Sequence, residues 1–328
     1  MSVNYFLITP AELDAGLIAA WRSIQEREPR FESPYFCPEF TQAAGRVRDD
    51  VRVVVIENDG RPAGFFPHQR AAWGRGGPVG GALSDYHGVI AAPGAEWRVE
   101  ELMRAARLAI WRFDHLVDPC GRFAPHVTAR ASSPQIDVER IAQPPAFARK
   151  GRKLGREIGE LSFELHTADE RILEKLCLWK RAQYARTANP DVFAVRWTGE
   201  LVRTLMGVQS ATFAGVCSVL RAGGRPVAVH AGMRSRGVLH WWFPAYEPEF
   251  GRYSPGIILL LRLAEALRGA GVGTLDLGKG DAAYKSALMT RAAELREGCV
   301  KMPSLLAAAQ RFFPPRAVRR LERAWRFR

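Results

Sequence analysis

A short self-similarity relates the two halves of this 328-residue sequence. The pentapeptide GRPAG at 60–64 recurs as GRPVA at 224–228, and Arg70 recurs as Arg234, at an offset of 164 residues (224 minus 60). A β-rich run precedes each pentapeptide and an apolar run follows it. Each copy therefore predicts a β-hairpin that turns at Gly-Arg-Pro.

The elements that follow the two hairpins also come in one order. Each hairpin leads into a third strand, an amphipathic helix and a short closing strand, predicted at 85–91, 97–111 and 113–118 in the first half and at 238–245, 256–268 and 274–278 in the second. Matching order at matching spacing indicates a tandem duplication of one unit. The predicted fold class is α/β, or α+β with a mixed sheet, flanked by helices in each half.

Helices are predicted ahead of each hairpin. Thr9–Glu12 is a capping box that begins a helix to about Glu26, and Thr167–Glu170 is a second capping box. A shorter helix is predicted at about 199–208. The sequence therefore divides into a first half (1–118), a proline-rich linker with the basic cluster RKGRKLGR (119–159), a second half (160–302) and a basic tail (303–328).

Composition narrows the class of protein. Apolar residues make up 47% and charged residues 25%, which is ordinary for a globular protein. The five cysteines are scattered without a C-x-x-C motif, so they predict no zinc site and favour a reducing compartment. No signal peptide or membrane-spanning run is readable, so we expect a cytoplasmic protein. The net charge of +13 favours anionic partners such as phosphates, RNA or acidic lipids, without choosing among them.

Several strings resemble one family. FPAYEPEFGRYSPGIILL (243–260) followed by DLGKGDAAYK (276–285) is similar to the BioF2-like acetyltransferase domain of cellulose-biosynthesis CelD-type proteins. SDYHGVI (84–90) and RKGRKLGRE (149–157) also match that family, and the resemblance spans about 30–300. The element order resembles the GNAT acyltransferase fold, and two copies in one chain resemble the Fem-type tandem transferases. The resemblance implies an acetyl-CoA-dependent N-acetyltransferase, often beside polysaccharide or lipid pathways.

The resemblance also implies a donor site at the start of the second-half helix. Ser254-Pro255-Gly256 places a helix N-terminus where the coenzyme A pyrophosphate lies in GNAT enzymes. Arg252, Ser254 and Gly256 are the predicted cofactor-binding residues, and a strand amide near Trp242 and Phe243 would polarise the thioester carbonyl. The usual phosphate loop, R/Q-x-x-G-x-G/A, is replaced by FGRYSPG, and a plain capped helix would show the same residues.

The loop after the last strand carries the predicted chemistry. The resemblance implies that Tyr284 protonates the departing thiolate, and Lys279 and Lys285 would contact the substrate. His230 or Asp281 would take the proton of the amine. Glu247 is a rival base, a buried sheet histidine is the plain alternative for His230, and a solvated turn is the alternative for Tyr284.

The first half is predicted to bind the acyl acceptor, and the tail is predicted to contact the membrane surface. Asp85, Tyr86 and His87 would shape the acceptor pocket, although an ordinary strand edge fits them as well. Residues 311–328 form a candidate amphipathic helix at the inner face of the membrane, or a terminal helix docked on the protein.

The predicted reaction is the direct attack of an amine on an acyl thioester. The amine belongs to a sugar, lipid or polysaccharide precursor, small or lipid-linked, and neither a metal nor a covalent intermediate is implied. Two alternatives stay open: a Fem-like transfer from aminoacyl-tRNA, which the positive charge suits although nucleic acid is the less favoured partner, and a non-catalytic scaffold in a polysaccharide or lipid assembly complex.

Overall fold

The computed structural model describes residues 2–280 and 282–302, which form two compact units. The first unit contains residues up to Ser132 together with those from Glu294 onward, and the second contains Ser133–Ala293. The predicted base Asp281 and the predicted membrane-surface helix at 311–328 lie outside the described residues.

Among the described residues, the first unit contains six strands, three α-helices and parts of two longer strands whose other residues belong to the second unit. In chain order they are β1 (Val3–Ile8), α1 (Ala15–Arg27), α2 (Pro38–Val47), β2 (Val51–Asn58), β3 (Arg61–Arg70), β4 (Arg75–Gly77), the two-residue β5 (Ile90–Ala91), α3 (Val99–Ala105) and β6 (Ile110–Leu116).

The second unit follows with the same kinds of element. In chain order the rest of the chain forms β7 (Val127–Asp137), α4 (Pro145–Ile158), β8 (Leu161–Glu164), α5 (Glu170–Thr187), α6 (Arg196–Met206), β9 (Ala214–Ala222), β10 (Arg225–Arg234), β11 (Val238–Tyr246), α7 (Pro255–Leu267), β12 (Thr274–Asp276), α8 (Ala283–Leu288) and β13 (Arg291–Lys301). The boundaries between the units fall within β7 and β13.

The two units have the same strand order. In the first, β1, β2, β3 and β4 pair antiparallel in that order, β4 pairs with β6 in parallel, and β6 pairs antiparallel with the later part of β13. In the second, β8, β9, β10 and β11 pair antiparallel, β11 pairs with β12 in parallel, and β12 pairs antiparallel with the end of β7. Each parallel step is crossed by a helix, as parallel pairing requires. The mixed α/β fold predicted from the sequence is confirmed.

The two hairpins repeat each other in detail. Asp59 and Gly60 in the first turn, and Gly223 and Gly224 in the second, all have positive φ, as a two-residue turn of the primed type requires. The register then shifts by one residue after the proline in both copies, at Ala63 and at its 164-residue counterpart Val227 (63 plus 164). The repeat therefore holds in backbone geometry as well as in sequence.

The third strand of the first half is placed differently from the prediction. The partner of β6 is the three-residue β4, at RGG, and the predicted strand at 85–91 is reduced to β5 and a single bridge between His87 and Leu116. Gly88 interrupts that segment at φ 159°, and a β-carbon there would lie 2.4 Å from the Val117 carbonyl oxygen. The predicted helix at 97–111 is shorter in the structure: α3 ends at Ala105, Arg107 is left-handed with φ 55°, and the chain enters β6 at Ile110.

Two further boundaries differ from the prediction. The predicted linker contains β7 and α4, so the basic cluster belongs to the second unit, while residues 294–302 pair within the first. The capping box at Thr9 and Glu12 is confirmed, yet it caps a short 3-10 turn, and α1 begins after Asp14. Helix α5 is capped by Asp169, whose carboxylate accepts from the Arg171 amide.

Helix α7 is the centre of the second core. Its apolar residues are buried almost all round, because it packs against both α4 and the strands β9, β10 and β11. A helix that is apolar on most sides is expected in such a buried position. None of the helices among residues 2–280 and 282–302 combines the length and the hydropathy that a membrane span requires.

Candidate functional site

The parallel pair β11 and β12 separates after a short ladder. Val238, Leu239 and His240 pair with Thr274, Leu275 and Asp276, and there β12 ends. Strand β11 continues to Tyr246, so its later backbone has no residue of β12 opposite it. An opening at the carboxyl end of a strand, beside a crossover, is the usual place for a ligand in an α/β sheet.

A bulge in β11 lies at this opening. In the ladder with β10, Ala231 pairs with Phe243 and Met233 with His240, so Trp241 and Trp242 lie opposite the single residue Gly232. A β-carbon on Gly232 would lie 2.2 Å from the His240 carbonyl oxygen and 2.5 Å from the His230 ring. Glycine is therefore required there, and the bulge changes the direction of the backbone whose amides are predicted to polarise the thioester carbonyl.

Trp242 and Phe243 are the two residues whose backbone amides are predicted to polarise the thioester carbonyl. The side chain of Trp242 is half-buried, and that of Phe243 is buried. The Phe243 ring packs against Phe193 with ring centres 5.0 Å apart. The structure thus shows how these side chains pack, and the role of their backbone amides stays a prediction.

Tyr284 lies at the opening as the sequence predicts. It is in the first turn of α8, half-buried against the second core, and its hydroxyl lies beside the side chain of Trp241 in the bulge. Burial raises the pKa of this hydroxyl above its usual range, and the indole of Trp241 offsets part of the rise. The hydroxyl is therefore protonated at neutral pH, as a proton donor must be.

His230 is placed differently from its predicted role. It lies in β10, is fully buried and is stacked on Trp241 with ring centres 4.2 Å apart. Burial lowers the pKa of the imidazole to about 3. Because so weak a base has little tendency to take a proton from an amine, the structure favours the alternative of a buried sheet histidine that supports the bulge.

The predicted helix start at Ser254 and the basic cluster on α4 come together at the start of α7. Ser254 is at the N-cap position, but with φ 56° and ψ 51° it is left-handed and its side chain makes no cap bond. Its hydroxyl instead accepts a hydrogen bond of 2.8 Å from Lys150 Nζ, in the basic cluster on α4. A left-handed serine held by a lysine at a helix N-terminus gathers positive charge where an anion would be stabilised.

The other two residues predicted for this place are arranged around it. Arg252 is exposed and forms an ion pair of 3.2 Å with Glu157, so its charge is shared. Gly256 lies beneath Tyr246, and a β-carbon there would be at an ordinary contact distance of 3.5 Å from the ring. Alanine is therefore tolerated at Gly256, and a larger side chain would have to displace the tyrosine ring.

The loop between β12 and α8 is fixed by buried polar groups. Asp276 is buried and accepts hydrogen bonds from Ser133 Oγ at 2.7 Å, from Gln135 Nε2 at 2.7 Å and from the Gly278 amide at 2.9 Å. Lys285 Nζ reaches back to the carbonyl oxygens of Gly278 and Lys279, at 3.0 and 2.9 Å. Lys279 thus contributes a backbone oxygen to this arrangement, and its predicted substrate contact stays a prediction.

The rival base Glu247 lies just beyond the end of β11. It is half-buried, and its Oε2 accepts a hydrogen bond of 3.0 Å from the indole nitrogen of Trp179 on α5. This bond fixes the carboxylate just beyond the carboxyl end of β11, whereas the bulge at Trp241 and Trp242 lies within the strand.

The three acceptor-side residues belong to the first unit. Tyr86 is buried and stacks with Tyr35, at 6.4 Å between ring centres, and His87 is buried and accepts from two backbone amides of β6. These two are parts of the first core, which favours the alternative of a structural strand edge. Asp85 is partly exposed, and its Oδ1 lies 3.5 Å from Nε2 of His115.

Comparison with known proteins agrees with this geometry. Residues 146–286, all within the second unit, match the family model described as the acetyltransferase (GNAT) domain. The second unit carries a GNAT domain. This match assigns the chain to the acyltransferases, while the CelD-type subtype stays a resemblance.

Solved structures with low sequence identity share the fold of the whole chain. The structure of FemX has a TM-score of 0.59 at 9% identity, covering 93% of this chain and 99% of its own. The C-terminal domain of a putative lysylphosphatidylglycerol synthetase from Agrobacterium fabrum has a TM-score of 0.57 at 12% identity, covering 92% and 95%. A tandem GNAT protein from the clavulanic acid pathway has 0.52 at 12% identity, covering 92% and 99%. No curated protein matches the sequence.

Several residues that hold the site in place were not predictable as site residues. The sequence indicates Lys150 only as part of a basic cluster, and its bond to Ser254 depends on the fold. Ser133, Gln135 and Asp276 lie on strands that are distant in sequence and adjacent only in the fold. The one signal available for Asp276 was a carboxylate in an otherwise apolar strand, TLDL, where an acidic side chain needs buried partners.

Proposed function

We propose that the chain is an N-acyltransferase that uses acetyl-CoA and acylates an amine of a sugar, lipid or polysaccharide precursor. The observation that carries the proposal is the position of the Tyr284 hydroxyl beside Trp241, at the point where β11 leaves β12. Beyond His240, β11 has no residue of β12 opposite it. A thioester whose carbonyl lies along this part of β11 would place its sulfur beside the Tyr284 hydroxyl.

The donor's phosphates are assigned to the start of α7. Ser254 and Lys150 supply a hydroxyl and an ammonium group there, and Arg252, which is paired with Glu157, lies beside them. The second unit thus offers an anion site and a thioester site on neighbouring elements, β11 and α7. This donor assignment rests on the match to the GNAT domain and on the residues that are present.

Residues of this chain, together with solvent, account for each bond and each proton of the proposed reaction. The amine nitrogen bonds to the thioester carbonyl carbon, and the oxygen becomes negative against backbone amides of β11. The carbon–sulfur bond then breaks, and Tyr284 gives its proton to the leaving sulfur. The proton of the amine passes to a carboxylate, Glu247 or Asp281, which releases it to solvent, and Tyr284 regains one proton from solvent.

Aminoacyl-tRNA is the alternative donor. The net charge of +13 suits a polyanion, and the fold is shared with FemX. The two donors are separated by thermal unfolding of the intact protein. A hundredfold excess of acetyl-CoA over its dissociation constant stabilises a protein that binds it by about 2.7 kcal/mol. Stabilisation by charged tRNA and none by acetyl-CoA would establish the alternative, and no effect of either would favour a scaffold.

A further inference from the structure

Asp276 is a buried carboxylate at the end of β12, where the chain turns towards α8. It is 1% exposed, and it accepts hydrogen bonds from Ser133 Oγ and Gln135 Nε2, both at 2.7 Å. Nδ1 of His240, its partner in the parallel ladder, lies 3.6 Å from Oδ1. A carboxylate in an apolar core is tolerated only when such polar groups surround it, and their arrangement then fixes its position.

The same carboxylate starts the loop that leads to Tyr284. Oδ1 of Asp276 also accepts from the Gly278 amide at 2.9 Å, a side-chain-to-backbone bond across two residues that mimics a backbone turn. Gly278 has φ 71°, a left-handed conformation that glycine adopts without a steric penalty. The buried side chain therefore sets the direction in which the backbone leaves β12.

Lys285 closes that loop. Its Nζ donates to the carbonyl oxygens of Gly278 at 3.0 Å and of Lys279 at 2.9 Å, so the ammonium group ties the first turn of α8 to the start of the loop. The residue before it, Tyr284, packs its side chain against the second core. A displacement of the Gly278 carbonyl would therefore move Lys285 and, with it, the adjacent tyrosine.

We infer that Asp276 is a positioning residue for the proton donor: through Gly278 and Lys285 it fixes the place of the Tyr284 hydroxyl before a thioester binds. The inference rests on the proposed function for what Tyr284 does, whereas its placement can be measured without a substrate. A group that is held in its working position beforehand needs no reordering during the reaction. Lys285 then acts within the protein, and its predicted substrate contact stays a prediction.

The test is fluorine NMR of the full-length protein labelled with 3-fluorotyrosine. The chain has seven tyrosines, and the signal that is absent from Tyr284→Phe identifies Tyr284. Asp276→Asn keeps the size of the side chain and removes its negative charge, so the Tyr284 signal should shift by more than its linewidth and by more than the other six. Lys285→Met should also shift this signal, and the double variant should add little, because both residues act through one loop.

The matched control is Asp118→Asn in the first unit. Asp118 is also buried and accepts from two backbone amides, at 3.2 and 2.9 Å. This control should leave the Tyr284 signal in place, which separates positioning from a general loss of stability. If Asp276→Asn does not fold, Ser133→Ala removes only one bond to the carboxylate and should shift the Tyr284 signal by a smaller amount.

Acetyl-CoA connects the placement to the reaction. Asp276→Asn should bind it, by calorimetry, within about threefold of the unmodified affinity, while the shift that acetyl-CoA causes in the Tyr284 signal is lost. An unmoved Tyr284 signal in Asp276→Asn, an equal shift in Asp118→Asn, a preserved response to acetyl-CoA, or a loss of affinity well beyond threefold would overturn the inference. Failure of the unmodified protein to bind acetyl-CoA would contradict the proposed function alone, since the tyrosine signal still reports the placement.

Discussion

At the scale of single residues, Tyr284 connects the chemistry to the fold. Its hydroxyl lies beside Trp241 in the β11 bulge, and burial raises its pKa, so the hydroxyl is protonated. The resemblance to GNAT enzymes implied this role for Tyr284, because it follows the last strand of the second half. The partner Trp241 was not predictable, because the bulge that orients it is a property of the β10–β11 register.

Replacement of Tyr284 by phenylalanine should lower turnover far more than donor affinity. A group that meets the sulfur only as charge develops acts in the transition state, so the Tyr284→Phe variant should lose about a hundred- to ten-thousandfold in kcat. Acetyl-CoA affinity, measured by calorimetry, should stay within about threefold. Tyr246→Phe, at the exposed end of β11, is the control. Near-normal turnover in Tyr284→Phe would remove it from the mechanism.

Lys150 should contribute to donor binding although it is remote in sequence. Its ammonium group holds the left-handed Ser254 at the start of α7, so Lys150→Met removes a charge and a hydrogen bond together. We expect acetyl-CoA to bind about tenfold more weakly, since a charge-assisted hydrogen bond is worth roughly 1.5–3 kcal/mol. Lys153→Met, on the same helix and paired with Glu157, is the matched control. Equal affinity in both variants would place the phosphates elsewhere.

At the scale of elements, both hairpins were predictable from the sequence. Of the two strands that follow them, only β11, in the second unit, was predictable. Both Gly-Arg-Pro turns carry a strong local signal, and both fold into the same turn and bulge. Strand β11 was predicted from its long apolar run. Its counterpart β4 is only RGG, which carries no pattern, while DYHGVIA reads as a strand although Gly88 and its approach to Val117 break it.

The bulge in β11 should depend on the absence of a side chain at Gly232. Gly232→Ala forces a β-carbon against the His240 carbonyl and the His230 ring, so unfolding should become easier by about 1–3 kcal/mol. In contrast, Gly199→Ala in α6 meets nothing within 4 Å and should stabilise the protein by about 0.5–1 kcal/mol. Urea unfolding of both variants measures this difference. Two equal effects would mean that the bulge is not constrained at Gly232.

At the scale of the whole molecule, the repeat predicted two like units, but not their last strands. The first unit is completed by β13 and the second by the end of β7, so each takes a strand from a distant part of the sequence. Such pairings have no local signal, because neither strand has a turn that joins it to its partner. The segment predicted as a linker, 119–159, contains β7 and α4. Because the partners of β7 are distant in sequence, no local pattern indicated that it forms a strand.

Each unit also buries a histidine, and this sets a pH dependence for the stability of the whole molecule. Burial lowers the pKa of His68 to about 4 and that of His230 to about 3, from 6.5. Between those values the unfolded chain binds more protons than the folded one, so the free energy of unfolding falls as the pH drops below about 6.5. Each histidine contributes a slope of roughly 1.4 kcal/mol per pH unit in that range. His230→Gln should flatten the measured dependence between pH 5 and 6.5, and a slope equal to that of the unmodified protein would contradict this assignment.

The central claim is a single acyl-CoA site, built by the second unit alone. Calorimetric titration of acetyl-CoA into the full-length protein tests it most directly, because it reports both affinity and stoichiometry. One molecule of acetyl-CoA should bind per chain, with affinity reduced by Lys150→Met and preserved in Tyr284→Phe. An absence of binding, or two molecules bound per chain, would contradict it.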